Sequence, residues 1–243
     1  MNYQNPKTSI IIRTRNEDNT FEEVLSCIEK QTYQDFEIIV VDDNSTDKTQ
    51  QIAKEHDCKI VLIPEGKFSH PYSCNLGAQN AQGKYLVYLN GHALPISDTW
   101  LADGLKNFKD KKIAGIYAFV IARKNSTLAD KILYDVVGRT IGALKFKANK
   151  KMTGVLGTTN AIIRKDLWNQ YHFNEKFNSG WGGEDTNWAR YFMERGYCIV
   201  HEPKFRVRHS HNLSWKDFFW QLKNWLKMAY PVLGIPEKQR KNV

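Results

Sequence analysis

The sequence predicts an α/β protein, a mostly parallel sheet covered by helices on both faces. Three observations predict it. Through the first hundred residues, short β-branched or apolar runs alternate with segments of helical spacing, the pattern of successive βαβ units. The runs themselves are apolar, as suits strands covered on both sides. Three of them end in polar clusters, which such a sheet delivers to one edge, where ligands of open α/β sheets bind.

Residues 8–12 (TSIII) are the first strand, and 21–31 the first helix, with Phe21, Val24, Leu25 and Ile28 at helical spacing. Residues 37–41 (EIIVV) form the second strand, and Ser45 or Asp47 is placed to cap the helix that follows. Residues 59–63 are the third strand, 75–81 a short helix and 85–89 (YLVYL) the fourth strand. The second half is less regular. Strands are expected at 113–121, 154–164 and 198–200, a helix over 185–195, and an amphipathic helix from Trp215 onward.

The polar clusters after the strands are Arg13-Thr14-Arg15-Asn16-Glu17, Asp42-Asp43-Asn44 and Asn90-Gly91-His92. Each alone reads as an ordinary turn. Together they mark a site.

Of the 243 residues, 42% are hydrophobic and 25% charged, ordinary for a globular chain with a real core. No apolar run approaches the roughly 20 residues of a membrane span, and the N-terminus lacks the pattern of a secretory signal. Four scattered cysteines without metal spacing fit reduced thiols, so a cytoplasmic protein is expected. The formal net charge of +9 favours anionic partners. The excess gathers in KDKK at 109–112, KFKANKK at 145–151 and EKQRK near the C-terminus. A nucleic-acid-binding domain would share that charge, but no nucleic-acid-reading motif is present.

TSIIIRTRNE, EIIVVDDNSTDKT and NLGAQNAQGKYLVYLNGHALP, in this order, resemble the nucleotide-sugar domain of family 2 glycosyltransferases. The opening IRTRNE and the later HSHN look closest to the bacterial rhamnosyltransferase-like branch. The resemblance runs from about residue 8 to about residue 211. It implies the GT-A fold, a Rossmann-like single domain over 1–212, with a nucleotide-binding half at 1–95 and an acceptor and catalytic half at 96–212. A helical tail, aromatic and basic, would follow at 213–243.

The implied activity is transfer of a sugar from a UDP- or dTDP-sugar, with inversion, to a glycan or lipid-linked acceptor in cell-surface polysaccharide synthesis. A nucleotide-sugar-binding protein that has lost catalysis is the alternative. The resemblance places Thr14 to Glu17 (Thr14, Arg15, Asn16, Glu17) and Asp43 around the base and ribose. Arg13 and Arg15 either face the diphosphate or pair with Asp42. Asn75, Asn90 and Gly91 join the donor-binding set, although the basic residue that the family carries before Asn75 is Cys74 here.

GWGGEDTNWARY at 180–191 resembles a second family signature. By that pattern Asp185 is the base that takes the acceptor's proton and Glu184 binds sugar hydroxyls, while Trp181, Gly182 and Gly183 approach the sugar. Where the family ends its fourth strand in D-x-D, whose last carboxylate holds a divalent cation, this chain has Asn90, Gly91 and His92. Two readings stay open. His92 with His209 or His211 holds a metal, best manganese, or His92 donates directly to phosphate without one. The tail, with Trp220, Trp225 and Tyr230 among lysines, either packs on the domain or rests on the inner face of the cell membrane.

Overall fold

The computed structural model describes residues 6–150, 152, 154–177 and 183–229. The expected alternation is present: β1 (Thr8–Thr14), α1 (Asp18–Glu29), β2 (Phe36–Asp42), α2 (Thr49–Glu55), β3 (Lys59–Leu62), α3 (His70–Asn80) and β4 (Tyr85–Asn90). A two-residue strand β5 (Leu94–Pro95), helix α4 (Trp100–Leu105) and β6 (Ile113–Tyr117) follow. Next comes a helical run made of α5 (Leu128–Asp130), a π turn (Lys131–Asp135) and α6 (Val136–Arg139). The chain continues through β7 (Phe146–Lys147), β8 (Asn160–Arg164), α7 (Lys165–Trp168), α8 (Glu184–Met193), β9 (Cys198–His201), β10 (Val207–Arg208) and α9 (Trp215–Ala229).

The main sheet has the order β3-β2-β1-β4-β8-β6-β9-β7. The β3, β2, β1 and β4 strands run parallel, β8 is antiparallel to both its neighbours, and β7 is antiparallel to β9. The sheet is therefore mostly parallel, as expected. Alternation along β1 builds its two faces. Ile10 and Ile12 enter a core with Phe21, Leu25 and Trp100 of α1 and α4, while Ile11 enters one with Ala78, Trp188 and Phe192 of α3 and α8. Each such fully buried side chain contributes about 1.5–3 kcal/mol. Register then levels the strand ends: Arg13 lies beside Asn90, and Thr14 beside Asp42.

Several boundaries differ from the sequence reading. The strand expected over 154–164 begins only at Asn160, because Gly154 and Leu156 take positive φ of 64° and 68° and turn the chain. The strand expected to reach Ile121 stops at Tyr117, leaving Ile121 in a lone bridge with Arg208. Helix α3 starts at His70 rather than Asn75: Ser69 caps it, accepting from the Tyr72 N–H at 3.2 Å, and Pro71 fits its first turn. At α2, Asp47 accepts from the Thr49 N–H at 2.9 Å, whereas Ser45 is held by Asp42.

Candidate active site

The ends of β1 and β4 meet on a buried arginine. The Arg13 guanidinium donates to Asn90 Oδ1 at 2.7 Å, to His70 Nδ1 at 2.9 Å and to the Thr158 carbonyl at 3.3 Å. His70 accepts as a neutral ring, because burial and the Arg13 charge push its pKa down to about 4. Asn90, with its oxygen taken by Arg13, turns its amide to His209 Nε2 at 3.3 Å. Arg13 therefore does not pair with Asp42. Arg15 does not either; it pairs with Asp43 at 2.8 Å.

His92, His209 and His211 come together as one cluster, each offering a ring nitrogen within 4.8 Å of the others. The rings of His92 and His209 stack at 4.5 Å, and His211 stands edge-on to both. A short antiparallel ribbon brings them there: β5 begins two residues after His92, β10 ends one residue before His209, and the two strands pair. Asp130, fully buried, accepts the backbone N–H groups of His211 and Leu213, both at 3.3 Å, and fixes the turn that carries the third ring.

Two buried nitrogens of this cluster, His92 Nε2 and His209 Nδ1, have no hydrogen-bond partner among the described residues. Buried polar atoms normally have one. His92 Nδ1 lies 2.7 Å from Glu17 Oε1. A carboxylate there selects the tautomer with the proton on Nδ1, which leaves a lone pair on Nε2. Burial and the neighbouring imidazoles hold His209 well below the usual histidine pKa, and the surrounding protein with His92 lowers His211. A transition-metal cation suits such imidazoles: His92 would offer Nε2, and at His209 the cation would take the place of the Asn90 amide at Nε2, since a ring that accepts there carries its proton on Nδ1.

Several expected donor contacts have other tasks. Glu17 Oε1 lies against His92. Asn75 is 4% exposed; its amide group donates to the Phe173 carbonyl and Glu175 and accepts from Trp168 Nε1 and the Phe173 N–H, so it ties α3 to a loop. Gly91 is a spacer: a Cβ there would sit 2.7 Å from Thr14 Oγ1 and 3.0 Å from Thr14 Cβ. Gly91→Ala is accordingly expected to destabilise the fold by about 1–3 kcal/mol, as overpacking does. An unchanged melting temperature would refute that clash. Asn16, at φ 53°, accepts the Thr46 N–H at 2.8 Å and laces the β1–α1 loop to the β2–α2 loop beside Asp43.

At the far side of Arg13 stands the acidic pair of α8. Gly183, at φ 105°, turns the chain into the helix where a side chain would be strained. Trp181 and Gly182 lie outside the described residues. Asp185 Oδ2 accepts from the Thr158 N–H at 3.2 Å and Oδ1 from the Thr186 N–H at 2.6 Å. Glu184 is 2% exposed, and its Oε2 has no partner among the described residues. Burial, and then the Asp185 charge, push the Glu184 carboxyl up to about 7; burial also raises Asp185, against its backbone hydrogen bonds.

Beside the histidines opens a cleft of about 560 Å³, lined by Glu17, Asn19 and Thr20 of the α1 end and by Arg123, Ser126 and Asn212 opposite. Arg123 spans its wall, donating to the His92 carbonyl at 3.0 Å and to Glu23 at 2.7 Å. His70, Arg123, Asp130 and Thr158 were not singled out from the sequence. Only Asp130 carried a local signal, the T-x-x-D capping pattern of Thr127 and Asp130.

The family model for glycosyl transferase family 2 matches residues 9–171. The chain belongs to this family. Among curated proteins it is 27% identical over 210 residues to the GalNAc(5)-diNAcBac-PP-undecaprenol beta-1,3-glucosyltransferase of Campylobacter jejuni, covering 83% of this chain and 64% of that protein. It is 24% identical to the O-antigen chain rhamnosyltransferase WbaN of Salmonella anatum, covering 88% and 69%. Among solved structures, the mannosyltransferase PcManGT of Pyrobaculum calidifontis, in complex with GDP-Man and Mn2+, superposes with a TM-score of 0.68 at 19% identity. That match covers 95% of this chain and 64% of the other. The family fold is thus shared, on a chain that covers about two thirds of the length of these relatives.

Proposed function

We propose that this family member transfers a sugar, with inversion, from a nucleotide-diphosphate donor to a glycan or lipid-linked acceptor in cell-surface polysaccharide synthesis. One observation carries the reading: a continuous line of contacts joins the histidine cluster to the acid pair. It runs from His209 to Asn90, from Asn90 to Arg13, from Arg13 to Thr158, and from the Thr158 N–H to Asp185. A cationic group and three imidazoles face an anionic diphosphate, while a carboxylate at the other end of the line faces the acceptor.

In this reading Asp185 takes the acceptor hydroxyl's proton as the new glycosidic bond forms and the bond from sugar to diphosphate breaks. The Thr158 and Thr186 N–H groups fix its direction. Arg13, held by Asn90 and Thr158, supplies a fixed positive charge between base and leaving group. Glu184 binds sugar hydroxyls, and Asp43 receives the nucleoside. His92, His209 and His211 would hold a divalent cation, manganese as in the PcManGT complex, standing where the family has D-x-D. Such an ion, when bound, neutralises charge on the departing diphosphate. The undecaprenol-linked substrate named for the Campylobacter relative supports a lipid-linked acceptor at the inner face of the membrane.

Calorimetric titration with UDP, dTDP and GDP, with and without Mn2+, tests donor binding, and product analysis with a nucleotide-sugar panel tests transfer. Absence of nucleotide binding under both conditions would remove the reading.

Glu17 is expected to act as a positioning residue for the cluster. Glu17→Ala should weaken Mn2+ binding by about 10–100-fold, the usual cost of losing a carboxylate behind a ligating histidine, whereas Glu17→Gln, which can still accept from Nδ1–H, should lose less. Nitrogen NMR of His92 reads the tautomer directly. Equal Mn2+ affinity in wild type and Glu17→Ala would end this role.

A further inference from the structure

Twelve large apolar side chains are exposed among the described residues, and eight of them gather on the 128–144 segment and on α9. That concentration marks a surface rather than scatter. Leu128, Ile132 and Val136 follow one another at i, i+4 and i+8, with exposures of 63%, 41% and 58%, and form an outer stripe along the α5–π–α6 run. The run's inner side is satisfied: Ala129, Leu133 and Tyr134 pack with Phe218, and Leu222 of α9 joins them. Helix α9 repeats the arrangement. Phe218 faces inward, and Trp215, Phe219 and Trp220 are 50%, 63% and 57% exposed.

The charge of this surface decides what it fits. Lys131 is exposed next to Ile132 on the run, Lys124 lies four residues before Leu128, and on α9 the exposed Lys216 and Lys223 stand at i and i+7, on one line of the helix. The acids of the same segments are engaged by protein groups. Asp130 is fully buried, Asp135 pairs with Arg139 at 3.1 Å, and Asp217 accepts from Ser214 at 2.6 Å. Aromatic rings and aliphatic side chains interleaved with lysines match the boundary of an anionic bilayer: the rings settle at headgroup level and the lysines meet the headgroups. None of the described helices is long and apolar enough to cross a membrane, so the surface would lie on the bilayer.

We propose that the outer face of the 128–144 segment, together with α9, docks on an anionic lipid surface. Trp225 and Tyr230, expected from the sequence to share in such a contact, lie where side chains are not described. The docking face backs directly onto the site. Tyr134 of the same run stands 6.1 Å from the His209 ring, and Asp130 holds the turn of His211. The bilayer would then present a lipid-linked acceptor at the rim of the site, a consequence that rests on the function proposed above.

Sedimentation of the full chain with phosphatidylglycerol-containing and pure phosphatidylcholine vesicles tests the proposal. The wild type should pellet with the anionic vesicles at low salt, and less at high salt. The triple variant Leu128→Ser, Ile132→Ser, Val136→Ser should lose about tenfold or more in partitioning, as should the pair Lys216→Glu, Lys223→Glu. All five positions lie on solvent-facing sides, and circular dichroism confirms folding; if the triple variant does not fold, the lysine pair still decides the matter. Three results would overturn the proposal: no pelleting of the wild type, undiminished binding by both variants, or a dimer in light scattering that the triple variant dissolves, which would mean a second copy covers this face. Vesicle binding is read without donor or acceptor. It therefore stands or falls separately from sugar transfer, which nucleotide titration and product analysis decide.

Discussion

Asp185→Asn is expected to lower the rate of sugar transfer by about 10²–10⁴-fold, the range general-base catalysis contributes, while donor affinity stays nearly unchanged. The substitution keeps the size of the side chain and removes its basicity. It also keeps one oxygen to accept from the Thr158 or Thr186 N–H, both of which hold Asp185 now. Donor titration of the variant checks that the site is intact. A variant with half or more of wild-type turnover would take Asp185 out of the mechanism.

The neighbouring Glu184 gives this expectation a pH signature. Two carboxyls side by side in a poorly solvated place titrate as a pair. Burial raises both, and Glu184, held up also by the Asp185 charge, reaches about 7. Below that pH the pair carries one negative charge, and above it two. Glu184→Gln removes the second ionisation, so an inflection of kcat/KM near pH 7 in the wild type should be absent from the variant's profile. Stability should respond too. Between the unfolded carboxyl value of about 4.3 and about 7, the folded chain keeps a proton that the unfolded chain has lost, so this group's contribution to stability falls as pH rises. Denaturant titrations at pH 5 and pH 8 should show a smaller difference for Glu184→Gln than for wild type. An unchanged difference would mean Glu184 is ionised throughout.

The strands and helices of the first ninety residues were legible because hydrophobic spacing records them directly, and the level ends of β1, β2 and β4 follow from parallel pairing. The fold class and the convergence of Arg13, Asp43 and His92 on one edge came with them. Interior hydrogen bonding was not legible. Asn75 and Glu17 look like free polar groups in the sequence, yet one is spent on Phe173, Glu175 and Trp168, and the other on His92. Pairing with Asp42 was one expectation for Arg15, which meets Asp43. The ribbon that joins His92 to His209 consists of two-residue strands, too short for any periodicity to reveal. Pro71 reads as a helix breaker, so the true start of α3, and with it the His70 contact to Arg13, was hidden.

The histidine cluster carries the other large expectation. The wild-type protein should bind Mn2+ in calorimetry without donor present, and excess chelator should abolish transfer. His92→Ala should weaken Mn2+ binding by more than the about 10–100-fold that losing an outer partner costs, because it removes a ligand outright. His92→Asp returns a carboxylate to the position and should recover part of that affinity. The effect of acid follows from the same geometry. A protonated imidazole cannot coordinate, so Mn2+ affinity should fall as pH falls. Burial depresses His209, so the part of the fall that it governs should lie below the ordinary histidine value of about 6.5. A histidine that simply donates to phosphate predicts the reverse: donor affinity would rise on acidification, and chelator would do nothing. The 2.7 Å contact between Glu17 and His92 Nδ1 holds the ring with Nε2 free for either partner, a cation at its lone pair or a phosphate oxygen at its N–H, and the two responses to acid and chelator tell them apart. Full transfer activity in excess chelator, together with donor binding that tightens in acid, would make His92 a phosphate contact and the cluster no metal site at all.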